Sequence, residues 1–149
     1  MKIEIAPHLT ADEIACHCCG QSIAHIDLLN AWTYLRVTTF CKPITIVSGY
    51  RCPKHNKEVH GTRASAHMQG KAIDVRVTDP AWFDDSFIQV FAACGFHGVG
   101  RNRESNFIHL DTKDRIAVWD YNGYRTRVNR VETAILKDAI RGLSNVKTH

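Results

Sequence analysis

His67 and Asp74 stand seven positions apart in Ser65-Ala66-His67-Met68-Gln69-Gly70-Lys71-Ala72-Ile73-Asp74. Neutral imidazole and carboxylate are both suitable donors to zinc, and a catalytic zinc takes three protein ligands while keeping a fourth position for water. The third donor has to come from elsewhere. His109, in Asn106-Phe107-Ile108-His109-Leu110-Asp111, is the best candidate, which gives an expected cofactor of one zinc per chain. With nine histidines in the chain, one His and one Asp near each other mean little alone, since polar residues are usually solvated or hydrogen-bonded structural groups. The surrounding residues carry the weight: Ser48-Gly49-Tyr50-Arg51 upstream, His109-x-Asp111 downstream, and Trp119 after them.

These residues need elements to hold them. Phe107 and His109 alternate with Ile108 and Leu110, which predicts a strand with the histidine on one face. Lys71 to Val77 is rich in β-branched types, so Asp74 is expected on a strand as well. Thr10 and Glu13 read as a capping box, predicting a short helix that ends near Gly20. Apolar residues from Ile26 to Phe40 follow a helical period, with Asp27 as the cap. Pro43 ends that helix, and Ile44 to Val47 reads as a buried strand running into Ser48-Gly49-Tyr50-Arg51. A short helix over Pro53 to His60 and a loop over Gly61 to Ala64 come next. A second long helix is expected over Trp82 to Ala93, opened by Asp79-Pro80 and stopped by Gly95. A turn-rich strand surrounds Val99, Ile116 to Trp119 reads as another strand, and Asp120 to Gly123 as a turn. Arg125, Arg127 and Arg130 form a basic run ahead of a helix over Glu132 to Leu143. The order of elements gives an α+β fold, a small antiparallel sheet with helices packed on one side. Without repeats or low-complexity tracts, residues 1–149 read as one domain, with a core over about 8–121 and a C-terminal helical extension over about 125–145.

Composition agrees with that size. The chain has 149 residues, 44% hydrophobic and 23% charged, an ordinary globular balance. A net charge of +4 favours polyanions such as an acidic cell wall. No apolar run reaches 18 residues, so no membrane span is expected. Met1-Lys2-Ile3-Glu4-Ile5-Ala6-Pro7 lacks the apolar core and small-residue cleavage site of a secretory signal, which predicts synthesis in a cytoplasm and a route to any cell wall supplied by something else. Of six cysteines, Cys16, Cys18 and Cys19 cluster. Cys16-His17-Cys18-Cys19 suggests a zinc knuckle, but no second Cys-x-x-Cys or His-x3-His pair completes one, leaving small buried hydrophobes as the expectation. Cys41 and Cys52 flank the Ile44 strand and can pair in an oxidising space.

Together, Ser48-Gly49-Tyr50-Arg51, Ser65-x-His67-x-x-Gly70-x-Ala72-x-Asp74, His109-x-Asp111 and Trp119 resemble the M15 family of zinc peptidoglycan peptidases. That group includes D-alanyl-D-alanine carboxypeptidases and phage lysis enzymes, and the resemblance covers about residues 8 to 121. It implies a hedgehog/DD-peptidase-like fold and zinc on His67, Asp74 and His109. It also implies hydrolysis of amide bonds in peptidoglycan peptides, by carboxypeptidase or endopeptidase action, in a monomer of phage or prophage origin that acts at the wall after release. Zinc lowers the pKa of a bound water and polarises a scissile carbonyl, and no HExxH motif competes for this role. Arg51 matches the family's arginine for the substrate carboxylate or oxyanion, a task its fixed charge suits. Ser65 and Gln69, flanking His67, become candidates for substrate binding.

Many members carry an acidic general base three residues before the last histidine, where this chain has Asn106. Others carry His-x-Asp, which makes Asp111 the candidate base or the residue that orients His109. Glu104 is the other acid in range, and His97 a candidate for transition-state stabilisation. Two further classes stand beside the enzyme. A non-catalytic zinc-binding domain of the same fold would serve recognition, as in the hedgehog domain. A nucleic-acid module would use the basic tail and cysteine cluster, but no aromatic-interleaved basic stripe supports it and no nucleic-acid partner is expected.

Overall fold

The helical spacing that starts at Ile26 produces helix α1, Ile26–Thr38, which buries Leu28, Ala31, Trp32 and Leu35 and leaves Ile26 and Val37 exposed. Its cap is His25, two residues before the expected Asp27: the His25 Nδ1 accepts the Asp27 N–H at 3.2 Å. These elements come from a computed structural model that describes residues 2–122 and 125–128, with positions 138, 141 and 142. Strands β1 (Glu4–Ala6) and β2 (Leu9–Thr10) form a two-stranded antiparallel sheet. The larger sheet uses β3 (Ile44–Ser48), β4 (Ala72–Val77), β5 (Gly98–Asn102), β6 (Phe107–Asp111), β7 (Ala117–Asn122) and β8 (Arg125–Val128) in the order β3-β4-β6-β5-β7-β8. All neighbours are antiparallel except β5 and β7, which run parallel. Helices α2 (Pro53–Glu58) and α3 (Asp85–Cys94) complete the α+β fold.

The pleat separates packing from chemistry. Ile73, Val75 and Val77 of β4, with Ile108 and Leu110 of β6, join the core with α1 and α3 through Leu28, Trp32, Ile88 and Phe91. Since successive side chains alternate across a strand, Asp74, His109 and Asp111 fall on the face away from those helices. Buried Arg101 links the layers. Its Nε and Nη2 bond Asp120 of β7 at 2.9 and 3.2 Å, and its Nη1 bonds the Phe83 carbonyl at 2.9 Å and Asp85 of α3 at 3.1 Å.

Several sequence expectations change. The Thr10 and Glu13 pair forms, with the Thr10 N–H donating to the Glu13 Oε2 at 2.8 Å, yet residues 11–19 are turns. Their backbone groups serve other partners: Tyr50 N–H donates to the Ile14 carbonyl and Cys16 N–H to the Gln21 carbonyl, both at 2.8 Å. The helix over Trp82 to Ala93 divides into a 3-10 turn, Pro80–Phe83, and α3, which stops at Gly95 in the left-handed region. The Ile44 strand is an edge strand with Thr45 exposed rather than a buried one. β7 continues through Asp120 to Asn122, where a turn is expected, because it pairs with β8, and residues 125–128 of the anticipated helical extension are a strand. The helix over Glu132 to Leu143 lies outside the described residues, apart from helical positions 138, 141 and 142. Cys41 and Cys52 are both free thiols, so that pairing is absent. Among the described residues no helix is long and apolar enough to cross a membrane.

The turn at 11–19 rests on Gly49, where an added Cβ would lie 2.5 Å from the Ile14 Cβ and 2.6 Å from its Cα. A backbone pressed that closely on backbone and a β-branched side chain leaves little room to relax. Gly49→Ala is expected to destabilise the protein by about 1–3 kcal/mol, the usual penalty for overpacking, measured as a lower urea midpoint with an unchanged slope.

Candidate metal centre

Asp74 and His109 are direct cross-strand partners in the β4–β6 ladder. Residues so paired have Cβ atoms about 4.5–5.5 Å apart, close enough for their side chains to meet. The His109 Nδ1 lies 2.8 Å from the Asp74 Oδ1. His67 reaches the same carboxylate from the 3-10 turn Ala66–Gln69, with its Nε2 3.2 Å from the Asp74 Oδ2. Ser65 caps that turn, accepting the His67 N–H at 3.3 Å, and Gly70 ends it at φ +67°. All three side chains are buried, and one donor atom from each lies within 4.8 Å of the others.

Hydrogen bonds behind the cluster select the nitrogen each imidazole presents. The His67 Nδ1 is 2.6 Å from the Gly49 carbonyl. A carbonyl only accepts, so Nδ1 carries the hydrogen and Nε2 faces Asp74 with its lone pair free when the ring is neutral. For His109, Nε2 lies 2.8 Å from the Asp111 Oδ2, leaving Nδ1 toward Asp74. A ligating histidine whose second nitrogen is held by a carboxylate or carbonyl is the usual arrangement around zinc. The donor set, two imidazole nitrogens and a carboxylate oxygen, therefore fits a zinc ion and leaves a coordination position over.

Asp111 is fully buried and saturated. Arg115 donates to its Oδ1 and Oδ2 at 2.6 and 2.8 Å, and the Lys113 N–H donates to Oδ1 at 3.1 Å. The Arg115 guanidinium also sits 5.8 Å from the Trp119 ring centroid. Two glycines of β5 make this possible. A Cβ on Gly98 would land on the Asp111 carboxylate, and one on Gly100 would strike the Trp119 indole.

Electrostatics follow from these contacts. Burial disfavours charge on His109, but hydrogen bonds from its ring to Asp111 and Asp74 outweigh it and raise the imidazole pKa from 6.5 to about 9. Burial likewise works against charge on the two carboxylates. The His67 charge and the His109 hydrogen bond around Asp74, with His109 and Arg115 around Asp111, prevail and hold both well below the usual range.

The cluster opens into a cleft of about 510 Å³. Arg51 and Ser65 line it, as expected. The Arg51 Nη2 bonds the Asp74 Oδ2 at 2.9 Å, and its Nε bonds the Ser48 hydroxyl at 3.3 Å. Three other candidates lie elsewhere. Gln69 is exposed and does not line the cleft. Glu104 is exposed in the β5–β6 hairpin, its N–H bonded to the Asn102 Oδ1. His97 stands beyond Asp111, with its Nδ1 3.2 Å from the Lys113 carbonyl. Residues absent from the sequence-based set also line the cleft: Phe107, Lys113, Arg115 and Tyr121. Tyr121 follows Trp119 by two strand positions on the same face, a signal hidden by reading that segment as a turn. The sequence model of the family described as Peptidase M15 matches residues 7–111, a span holding Arg51, His67, Asp74, His109 and Asp111. Comparison with curated proteins finds no match.

A metal ion must displace the proton that His109 keeps at neutral pH, so binding is linked to proton release. Metal affinity is expected to rise roughly tenfold per pH unit from 7 toward 9 and then level off. Titration calorimetry at pH 7.5 in buffers of different ionisation enthalpy should show about one proton released at this cluster. A flat affinity across that pH range would show that His109 is neutral before the metal arrives.

Proposed function

As the chain belongs to the peptidase M15 family, it is a peptidase, and we propose that it uses zinc to hydrolyse amide bonds in the peptides of bacterial peptidoglycan. The observation that supports this reading best is the buried His67, Asp74 and His109 cluster at the floor of an open cleft. Zinc held there would supply Lewis-acid polarisation of a scissile carbonyl and activation of water. The chain's own residues do the rest. Arg51 offers a fixed positive charge at the cleft, 18% exposed, suited to a substrate carboxylate or a developing oxyanion. Phe107, Trp119 and Tyr121 provide apolar walls, and Lys113 with Arg51 favours an anionic peptide. Cell-wall peptides, with free carboxylates along a short stem, have that character. The bond class is D-Ala-D-Ala or a neighbouring linkage of the stem or cross-link. The place of action is the wall, reached after release from the cell that makes the protein, as in a phage or prophage lysis protein.

Asp111 is assigned to positioning rather than proton transfer. Its two oxygens already take donors from His109, Arg115 and the Lys113 backbone, so no lone pair is directed at the cleft for an incoming proton. Its work is to hold the His109 ring with Nδ1 toward Asp74.

Digestion of purified sacculi tests the activity. Zinc-loaded protein should release peptide fragments whose masses identify the bond cut, a chelator should stop the release, and His67→Ala should lose at least a thousandfold, the scale expected when the metal's contribution to the barrier is removed. Zinc-replete protein that releases nothing from sacculi of several wall chemistries would favour a recognition role for the same fold. Asp111→Asn separates the two roles of that acid. Weakening of zinc binding by about ten- to a hundredfold, with kcat near wild type at saturating zinc, is the positioning result. A hundredfold loss of kcat with zinc content and KM intact would instead make Asp111 the general base.

A further inference from the structure

The cysteine-rich turn acquires partners in the fold that its own sequence does not supply. Cys16, Cys19 and Cys52 bring their Sγ atoms within 4.8 Å of one another. His55, one turn into α2, places its Nδ1 3.5 Å from the Cys16 Sγ. Tetrahedral zinc with Zn–S of about 2.3 Å and Zn–N of about 2.0–2.1 Å sets ligand atoms about 3.6 Å apart, so that separation is already the edge of such a site. The spacing agrees: Cys16-x2-Cys19 followed by Gly20 is one half, and Cys52-x2-His55 is the other. Gly20, at φ +75°, closes the first half by donating to the Cys16 carbonyl at 2.8 Å. Backbone N–H groups already point at two of the sulfurs, Cys52 N–H at the Cys16 Sγ and His55 N–H at the Cys52 Sγ, both at 3.4 Å. Such donors serve thiolates, the ligating form of cysteine.

We propose that Cys16, Cys19, Cys52 and His55 form a second metal site, a closed structural zinc site separate from the one at His67, Asp74 and His109. The expected content becomes two ions per chain. With all four positions filled by protein, the site holds its ion without offering a position to substrate. Its role is to fasten the turn at 11–21 to the start of α2. That turn supports the metal centre: Tyr50 N–H bonds the Ile14 carbonyl, Gly49 packs on Ile14, and the Gly49 carbonyl orients His67. The second ion thus stiffens the strip that carries Arg51 and holds His67.

The full chain tests this independently of any peptidase activity. His67→Ala protein, reduced and stripped of metal, is titrated with cobalt(II) alone. A thiolate-to-cobalt charge-transfer absorption that saturates at one equivalent is expected, and Cys16→Ser/Cys52→Ser should abolish it. Wild-type protein loaded with zinc should contain two ions and the double variant one. His55→Ala should weaken the cobalt complex at least tenfold, the loss expected for one of four ligands, while Cys18→Ser leaves it unchanged. The reverse pattern overturns the assignment of His55. Absence of the thiolate band in His67→Ala overturns the site itself, and this readout does not depend on whether the cysteine variant folds. A disulfide joining Cys16 or Cys19 to Cys52 in protein as purified, found by mass spectrometry, would overturn it equally.

Discussion

Both nitrogens of the His109 ring face carboxylates, Asp74 on one side and Asp111 on the other, each at 2.8 Å. Two carboxylates buried about one ring are tolerable only if each finds further compensation, because an unpaired buried charge costs several kcal/mol. The open face of the sheet is arranged around meeting that demand. Arg115 grips Asp111 with two hydrogen bonds, and Arg51 and His67 reach Asp74. Gly98 and Gly100 keep the space above β5 clear for the Asp111 carboxylate and the Trp119 ring. Remove the ring and two carboxylates would lose their common partner. The candidate metal centre is therefore a balanced set of buried charges.

Separation of the two sheet faces makes this balance possible in a small chain. Alternation along β4 sends Ile73 and Val75 to the helices and Asp74 to the cleft, and β6 does the same with Ile108, His109 and Leu110. The helices α1 and α3 seal the apolar side. Polar chemistry is then confined to the other face, where backbone pairing across β4 and β6 sets the spacing of Asp74 and His109 with little freedom.

Much of this was legible in the residues themselves. Alternation around His109 and the β-branched run at Asp74 showed strands, and Gly95 and Pro43 showed helix ends, because those signals depend on local backbone chemistry alone. The family resemblance linked His67, Asp74 and His109. What stayed hidden depends on distant partners. Thr10 and Glu13 form a capping pair, but the Ile14 carbonyl is taken by Tyr50, so no helix follows. Asp111 reads as a candidate base or as the residue that orients His109, and its pairing with Arg115 shows only in the fold. Glu104 and His97 are near in sequence yet outside the cleft, since a hairpin turn and a strand end carry them off. Cys52-x2-His55 matches neither the Cys-x-x-Cys nor the His-x3-His spacing of a zinc knuckle, so its nearness to Cys16-x2-Cys19 shows only in the fold. Tyr121 sits in a segment whose residues read as a turn, and pairing with β8 makes that segment a strand.

The cross-strand meeting of Asp74 and His109 also bears on how the molecule comes into being. These partners are 35 residues apart in sequence, with α3 and the β5–β6 hairpin between them. Closing such a span carries a loop-entropy cost that must be met before the contact gives anything back. The pairing of β4 with β6 is thus a non-local contact, of the kind that slows folding. Unfolded chain offers no preassembled trio of His67, Asp74 and His109 to an ion in solution. Cys16 and Cys52 are 36 residues apart, so the cysteine cluster carries a closure cost of the same size, and each cluster has members close along the chain, His67 with Asp74 in one and Cys16 with Cys19 in the other. Neither cluster is therefore complete in an unfolded chain, and any ion that either one takes up adds to the stability of the folded state.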